Sequence, residues 1–219
     1  FYLSHQQRLN LAESVHPLCA TRGVPGTHDI ALLNSTVTQL LDPARSVDVV
    51  IPSFDKATDD RKPAQALERW SGALDILLLE GWCLGVRPQE DDALVQPVNT
   101  LEAQEDSDGI WRQWVNRRLT EDYLPFYECV DFWVMLAAPD FDCVLAWRSE
   151  QEDKLRQSLV DAATPNALQS PEDLQRFVQH YERLTRECLA TLPGRVDYLL
   201  SLDARRKVRA VSHRLLGGS

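Results

Sequence analysis

The most restrictive feature of this chain is the segment Leu74–Leu79. Ile76, Leu77, Leu78 and Leu79 follow one another with no polar residue between them, and Asp75 is the one interruption. A run without alternation has no polar face to offer water. It predicts a central parallel strand buried on both faces. It ends in Glu80-Gly81-Trp82. Three further segments read as strands: β-branched Val47–Ile51, stopped by Pro52; Phe132–Ala137, ended by Pro139; and Tyr198–Leu202. Helical stretches separate them. Residues 3–16 form a short helix ended by Pro17, and Asp29 opens a helix through Leu41. Residues 100–128 and 140–160 are helical, and a long helix starts at Ser170-Pro171-Glu172-Asp173. Ser at the N-cap, Pro at the first position and acids in the first turn suit a helix start. Its apolar stripe is Leu174, Phe177, Val178, Tyr181, Leu184 and Cys188. Residues 21–28 and 53–66 read as loops. Strands separated by helices mean an α/β fold with a mainly parallel sheet. No shift in composition marks a second domain, so residues 1–219 read as a single domain with a basic tail over 203–219.

Composition narrows the function classes. The chain carries 33 acidic and 23 basic residues, a net charge of −10. A general nucleic-acid binder draws affinity from neutralised phosphates and leans the other way. No apolar run approaches the roughly 20 residues that cross a bilayer, and no signal peptide is visible. The expectation is a cytoplasmic protein with neither nucleic-acid nor membrane partners. Five cysteines without a C-x-x-C pair read as reduced thiols. Five scattered histidines argue against a zinc site. Residue 1 is Phe, so the sequence reads as a processed chain or a fragment.

In parallel α/β sheets ligands sit beyond the carboxyl ends of the strands, so the residues that follow each strand are the candidates. After residues 47–51 comes a loop holding Asp55, Lys56, Asp59, Asp60 and Arg61. Lys and Arg there can hold a phosphate or a carboxylate; the alternative is a solvated charged loop. Glu80 ends the apolar run, where an unpaired buried charge is costly unless a metal ion or a catalytic proton explains it. The alternative is an acid at a solvent-facing strand end. Trp82 adjoins it. The charged stretch from Arg148 to Arg156 is either a lid whose arginines meet phosphate oxygens or an exposed helix face with pairs such as Glu152–Arg156.

Taken together, these segments resemble the D-glycerate 3-kinase family of P-loop small-molecule kinases, relatives of uridine kinase, phosphoribulokinase and pantothenate kinase. The resemblance runs in order along nearly the whole chain. It rests on Phe1-Tyr2-Leu3, on Arg22-Gly23-Val24-Pro25-Gly26-Thr27-His28-Asp29, and on Pro52-x-Phe54-Asp55-Lys56…Asp60-Arg61…Trp70. Leu79-Glu80-Gly81-Trp82-Cys83-Leu84-Gly85, Val98-Asn99-x-Leu101-Glu102 and Trp147-Arg148-x-x-Gln151-Glu152 continue it.

The resemblance implies a transferase that uses ATP and Mg²⁺ to phosphorylate a small hydroxy compound, with a glycerate-like acid as the first acceptor to test. It implies Glu80 near Mg²⁺, directly or through water. Arg148, with Arg156 behind it, would steady charge on the transferring phosphoryl group. Arg22, His28, Asp29, Lys56 and Arg61 would line the acceptor pocket beside Trp82. Asp55 would be a ligand positioner or a loop-stabilising acid. The family's phosphate cradle, G-x-x-x-x-G-K-[ST], does not occur in this sequence. The expectation is that the N-terminal strand, P-loop and helix lie before residue 1, and that this chain alone does not turn over ATP. Two alternatives stay open. One is a kinase for another small alcohol, pantothenate-like or nucleoside-like. The other is a non-catalytic binding protein without a P-loop. Oligomeric state is not readable from the sequence.

Overall fold

The computed structural model describes residues 1–44, 46–72, 74–158 and 170–214, the side chains of residues 152, 153 and 155–158 excepted. In chain order the elements are α1 (His5–Ser14), α2 (Ile30–Leu41), β1 (Val49–Ile51), β2 (Phe54–Asp55), β3 (Asp60–Arg61), β4 (Glu68–Trp70), α3 (Thr100–Glu105), α4 (Ile110–Arg118), α5 (Leu124–Tyr127), β5 (Val134–Ala137), α6 (Phe141–Ser158), α7 (Pro171–Thr191), β6 (Tyr198–Leu202) and β7 (Val208–His213). One π-helical turn, Leu119–Tyr123, joins α4 to α5. No described helix is long and apolar enough to cross a membrane. The chain divides into two units, Phe1–Leu84 with Asp108–Phe126 and Gly85–Ser107 with Tyr127–Ser219.

In the first unit α1 starts where Ser4 and Gln7 satisfy each other's backbone N–H groups, at 3.2 and 2.9 Å. Pro17 then opens a 3₁₀ turn over Pro17–Ala20 that buries Leu18 and Cys19. The loop at 21–28 folds back on the first residues: Leu3 N–H donates to the Thr27 carbonyl and Asp29 N–H to that of Phe1. Gly26 has φ +90°, and a Cβ placed there would overlap the Trp114 ring and the Arg118 side chain. Asp29 caps α2 by accepting the Leu32 N–H at 2.9 Å.

The β structure of this unit departs from expectation. β1 pairs antiparallel with β4, and β2 antiparallel with β3, so the 53–66 loop holds a small hairpin. The segment Leu74–Leu79 is not a buried strand. It forms no strand and has no ladder partner, with Ile76 82% and Leu78 87% exposed. An apolar run becomes a strand only where a neighbouring edge takes its N–H and C=O groups. Among the described residues no edge does so here.

In the second unit β5 and β6 are parallel, β6 and β7 antiparallel. The sheet is mixed, not mainly parallel. Part of the expected basic tail is strand β7. β5 lies at the sheet edge with Val134 and Leu136 exposed. α7 begins as the sequence predicts, with Ser170 and Asp173 forming a reciprocal cap and Pro171 at the first position. Leu174 and Val178 pack with Phe141 and Val144 of α6 in a buried cluster. The helical stretch expected over 100–128 is broken at Asp106–Gly109, where Gly109 takes φ +74°.

One buried ion pair organises this second unit. Arg183 Nε and Nη2 donate to the two Glu102 oxygens at 2.9 and 2.7 Å, with side chains 8% and 1% exposed. The same guanidinium closes the chain before α3, donating to the carbonyls of Ala93 and Gln96 at 2.8 and 2.7 Å. Glu102 also accepts the Val98 N–H, and Asn99 caps α3 while donating to the Gln179 carbonyl. Replacing Glu102 by Ala leaves Arg183 buried without its carboxylate. Chemical denaturation should register a loss of about 3–5 kcal/mol. Gly26→Ala adds an overlap to a left-handed backbone and should cost the first unit about 2–3 kcal/mol by the same measurement.

Candidate functional site

The loops at 21–28 and 53–66 of the first unit converge on the chain's first residues. The Tyr2 ring stacks on His28 at 5.1 Å and meets Phe54 edge-on at 5.0 Å between centroids. The Tyr2 carbonyl accepts Arg61 Nε at 2.8 Å. Arg61 Nη2 donates to Asp29 Oδ2 at 2.9 Å. Burial opposes ionisation of Asp29, but the Leu32 N–H and the Arg61 guanidinium outweigh it and hold the carboxyl below its ordinary value. So Asp29 and Arg61, both expected at the acceptor pocket, engage each other. His28 shares a hydrogen bond of 2.6 Å between Nδ1 and the Tyr123 hydroxyl. Burial lowers its pKa to about 4, so it is a neutral hydrogen-bonding group at physiological pH, not a cation.

Arg22, the first of the expected anion-binding residues, is paired with Asp59. Its guanidinium carbon lies 5.7 Å from the Phe54 ring centroid. Asp59 also accepts Arg8 Nη2 at 2.8 Å. Burial raises the Asp59 pKa, but the Arg8 hydrogen bond and the charges of Arg22 and Arg8 prevail and lower it. Arg8 is 1% exposed and its remaining donors reach the carbonyls of Leu3, Ala20 and Asp59. Sequence reading missed this role for Arg8 and Asp59. They stand 51 residues apart, and no spacing rule connects a helix Arg to a loop Asp at that distance. Asp59 does carry one local sign, a φ of +55°, which Asp tolerates better than most residues.

The β2–β3 turn carries Asp55 and Lys56. Asp55 accepts the Ala57 N–H at 2.9 Å, which holds the turn and lowers its pKa. Lys56 is exposed and makes no ion pair with a described residue. Glu80 is likewise exposed, and no described residue bonds to it. Trp82 follows it at 54% exposed, and Cys83 adopts φ +58°. Thus the structure brings Arg22, His28, Asp29 and Arg61 together around Tyr2 and Phe54. It sets Asp55 and Lys56 on the adjoining hairpin, and it shows no bond that joins Glu80 to that cluster.

In the second unit Arg148 lies on α6. Its Nη1 donates to Gln151 Oε1 at 2.7 Å, and its guanidinium lies 5.7 Å from the Phe177 ring centroid. Arg156 is on the same helix, and its side chain lies outside the described residues, as does that of Glu152. Among the described residues no group of three or more His, Cys, Asp and Glu side chains is disposed to hold a metal ion. A single free carboxylate such as Glu80 does fit Mg²⁺ carried on a nucleotide, since that ion keeps most of its shell as water and phosphate oxygens.

No family model matches the chain. Among curated proteins it is 29% identical over 203 residues to the Uncharacterized kinase mug58 of Schizosaccharomyces pombe, covering 90% of this chain and 70% of the relative. It is 25% identical over 234 residues to the Probable ATP-dependent kinase TDA10 of Saccharomyces cerevisiae, covering 99% and 75%. It is 26% identical over 199 residues to the chloroplastic D-glycerate 3-kinase of Arabidopsis thaliana, covering 88% of this chain and 40% of that protein. The solved structure of D-glycerate 3-kinase from Cryptococcus neoformans shares the fold, with a TM-score of 0.78 and 21% identity over 98% of this chain and 77% of that one. In sequence over most of its length, and in fold, the chain resembles the glycerate-kinase-like family of small-molecule kinases.

Proposed function

We propose that this protein is an ATP-dependent phosphotransferase that acts on the hydroxyl of a small acidic metabolite, with D-glycerate the first acceptor. The similarity to named kinases, D-glycerate 3-kinase among them, supports the reaction class. One observation carries the acidic acceptor. In the cluster of the first unit Arg8, Arg22 and Arg61 are already met by carboxylates, and Lys56 on the neighbouring hairpin is a cation without one. A carboxylate ligand would answer that charge. The Tyr123-bonded His28 and the Trp82 ring would frame it as neutral surfaces.

In the reaction the acceptor hydroxyl oxygen bonds to the γ-phosphorus and releases its proton to solvent, the bond from that phosphorus to the bridging oxygen breaks, and ADP leaves with the bridging electron pair. Bound Mg²⁺ supplies charge neutralisation on the phosphates. Glu80 would hold that ion, directly or through water. Arg148 and Arg156 would meet the phosphoryl oxygens with fixed guanidinium donors. Asp55 would keep the Lys56 turn in shape. The cytoplasmic location belongs to the same proposal.

The test is phosphate transfer from ATP by the natural protein carrying this sequence, with D-glycerate, pantothenate and uridine as acceptors and the product mass as readout. Transfer to D-glycerate that needs Mg²⁺, and that falls about 100-fold in kcat with Glu80→Gln, is the expected result. Transfer to uridine or pantothenate and not to D-glycerate would discard the acidic acceptor. No transfer to any of the three would discard the kinase reading.

A further inference from the structure

The turn between β6 and β7 does more than reverse the chain. Asp203 Oδ1 accepts the N–H groups of Arg205 and Lys207 at 2.8 and 2.9 Å, and Asp203 N–H donates to the Lys207 carbonyl. This closure holds Arg206 at φ +64°, a left-handed conformation that an arginine adopts only under constraint. The side chain so presented meets α6. Its Nη2 pairs with Glu150 Oε2, and its guanidinium carbon lies 5.9 Å from the Trp147 ring centroid. Trp147 in return donates its Nε1–H to the Ala204 carbonyl at 2.7 Å. Glu150 also takes the ammonium of Lys154 one turn on.

Trp147 and Glu150 are three residues apart and share one face of α6, while Arg148 is turned about 100° from Trp147. The turn therefore grips α6 on both sides of Arg148 in sequence. A hydrogen bond to a fixed carbonyl and a cation held against the neighbouring carboxylate set both the rotation and the axial position of the helix at that point. The pairs are half-exposed, and such pairs contribute little stability, about 0–1 kcal/mol. Their effect is geometric.

We propose that the β6–β7 turn is a latch that fixes α6, and that Arg206 is a positioning residue for Arg148. This rests on the reading of Arg148 as the arginine that meets the phosphoryl group. Arg206→Gly is the informative variant. Glycine removes the guanidinium and relaxes the left-handed backbone, so a merely structural role predicts an unchanged or higher melting temperature and unchanged kinetics. Positioning predicts a different split.

The experiment measures kcat, KM and melting temperature for the natural protein with Arg148→Ala, Arg206→Gly, the double variant and Trp147→Phe. Arg148→Ala should lower kcat by about 1,000-fold. Arg206→Gly should lower kcat by about 10- to 100-fold, the size of effect that small misplacements produce, with the acceptor KM and the melting temperature unchanged. The double variant should lose no more than Arg148→Ala alone, because both act through one group. Trp147→Phe, which keeps an aromatic ring and deletes the Nε1–H donor, should lower kcat in the same sense. An Arg206→Gly protein with the original kcat would overturn the latch, as would losses that multiply in the double variant. Arg148→Ala at the original kcat would overturn the reading of Arg148 itself.

Discussion

Arg8 is a permanent charge at 1% exposure, so its burial is tolerable only where a carboxylate and carbonyl oxygens meet the guanidinium. The way it is met defines the region. Its donors tie the first residues, the 3₁₀ turn at Pro17–Ala20 and the loop at Asp59 into one body. Asp59, drawn in by Arg8, then captures Arg22, and both guanidinium groups lie against the Phe54 ring. The β2–β3 hairpin that bears Lys56 is placed by this contact, as are the aromatic stack of Tyr2, Phe54 and His28. A loop rich in charges thereby acquires a definite shape without a large apolar core of its own.

The two units solve the same problem with the same device. Arg183 in the second unit plays the part of Arg8 in the first, meeting a carboxylate and the loop carbonyls of Ala93 and Gln96 before α3. Both arginines are structural, and both come from helices. Two of the expected site residues of the first unit stand outside these networks. Lys56 and Glu80 are exposed in the first. Arg148 in the second donates from Nη1 to Gln151 Oε1.

Local chemistry was legible in the sequence. Asp29 and Ser170 cap the helices expected of them, and the stripe of α7 from Leu174 to Cys188 includes buried positions of the second unit. What depends on distant partners was not. Leu74–Leu79 has the composition of a central strand, yet composition does not supply the neighbouring edge, and the segment lies exposed without one. The basic run after Asp203 looks like a tail, because Val208–His213 carries no apolar alternation and all six of its residues are exposed. The candidate residues were chosen by motif, and a motif does not show the state of each group. Nothing local reveals that Arg22 and Arg61 are neutralised, since their partners Asp59 and Asp29 lie 37 and 32 residues away. Nor does it reveal that burial keeps His28 uncharged.

Arg8, Arg22 and Arg61 are spent on holding the first unit together, whereas Lys56 meets no described carboxylate and is open to a ligand. The direct measurement is the paired comparison of Lys56→Met and Arg61→Met, each by thermal melt and by acceptor KM in the phosphate-transfer assay. Lys56→Met should melt as the unsubstituted protein does and raise the acceptor KM by about 10-fold or more, the effect of losing one charged contact. Arg61→Met should melt at a lower temperature, because it leaves Asp29 and the Tyr2 carbonyl without their partner. A Lys56→Met protein with an unchanged KM, or an Arg61→Met protein with an unchanged melt, would contradict that division.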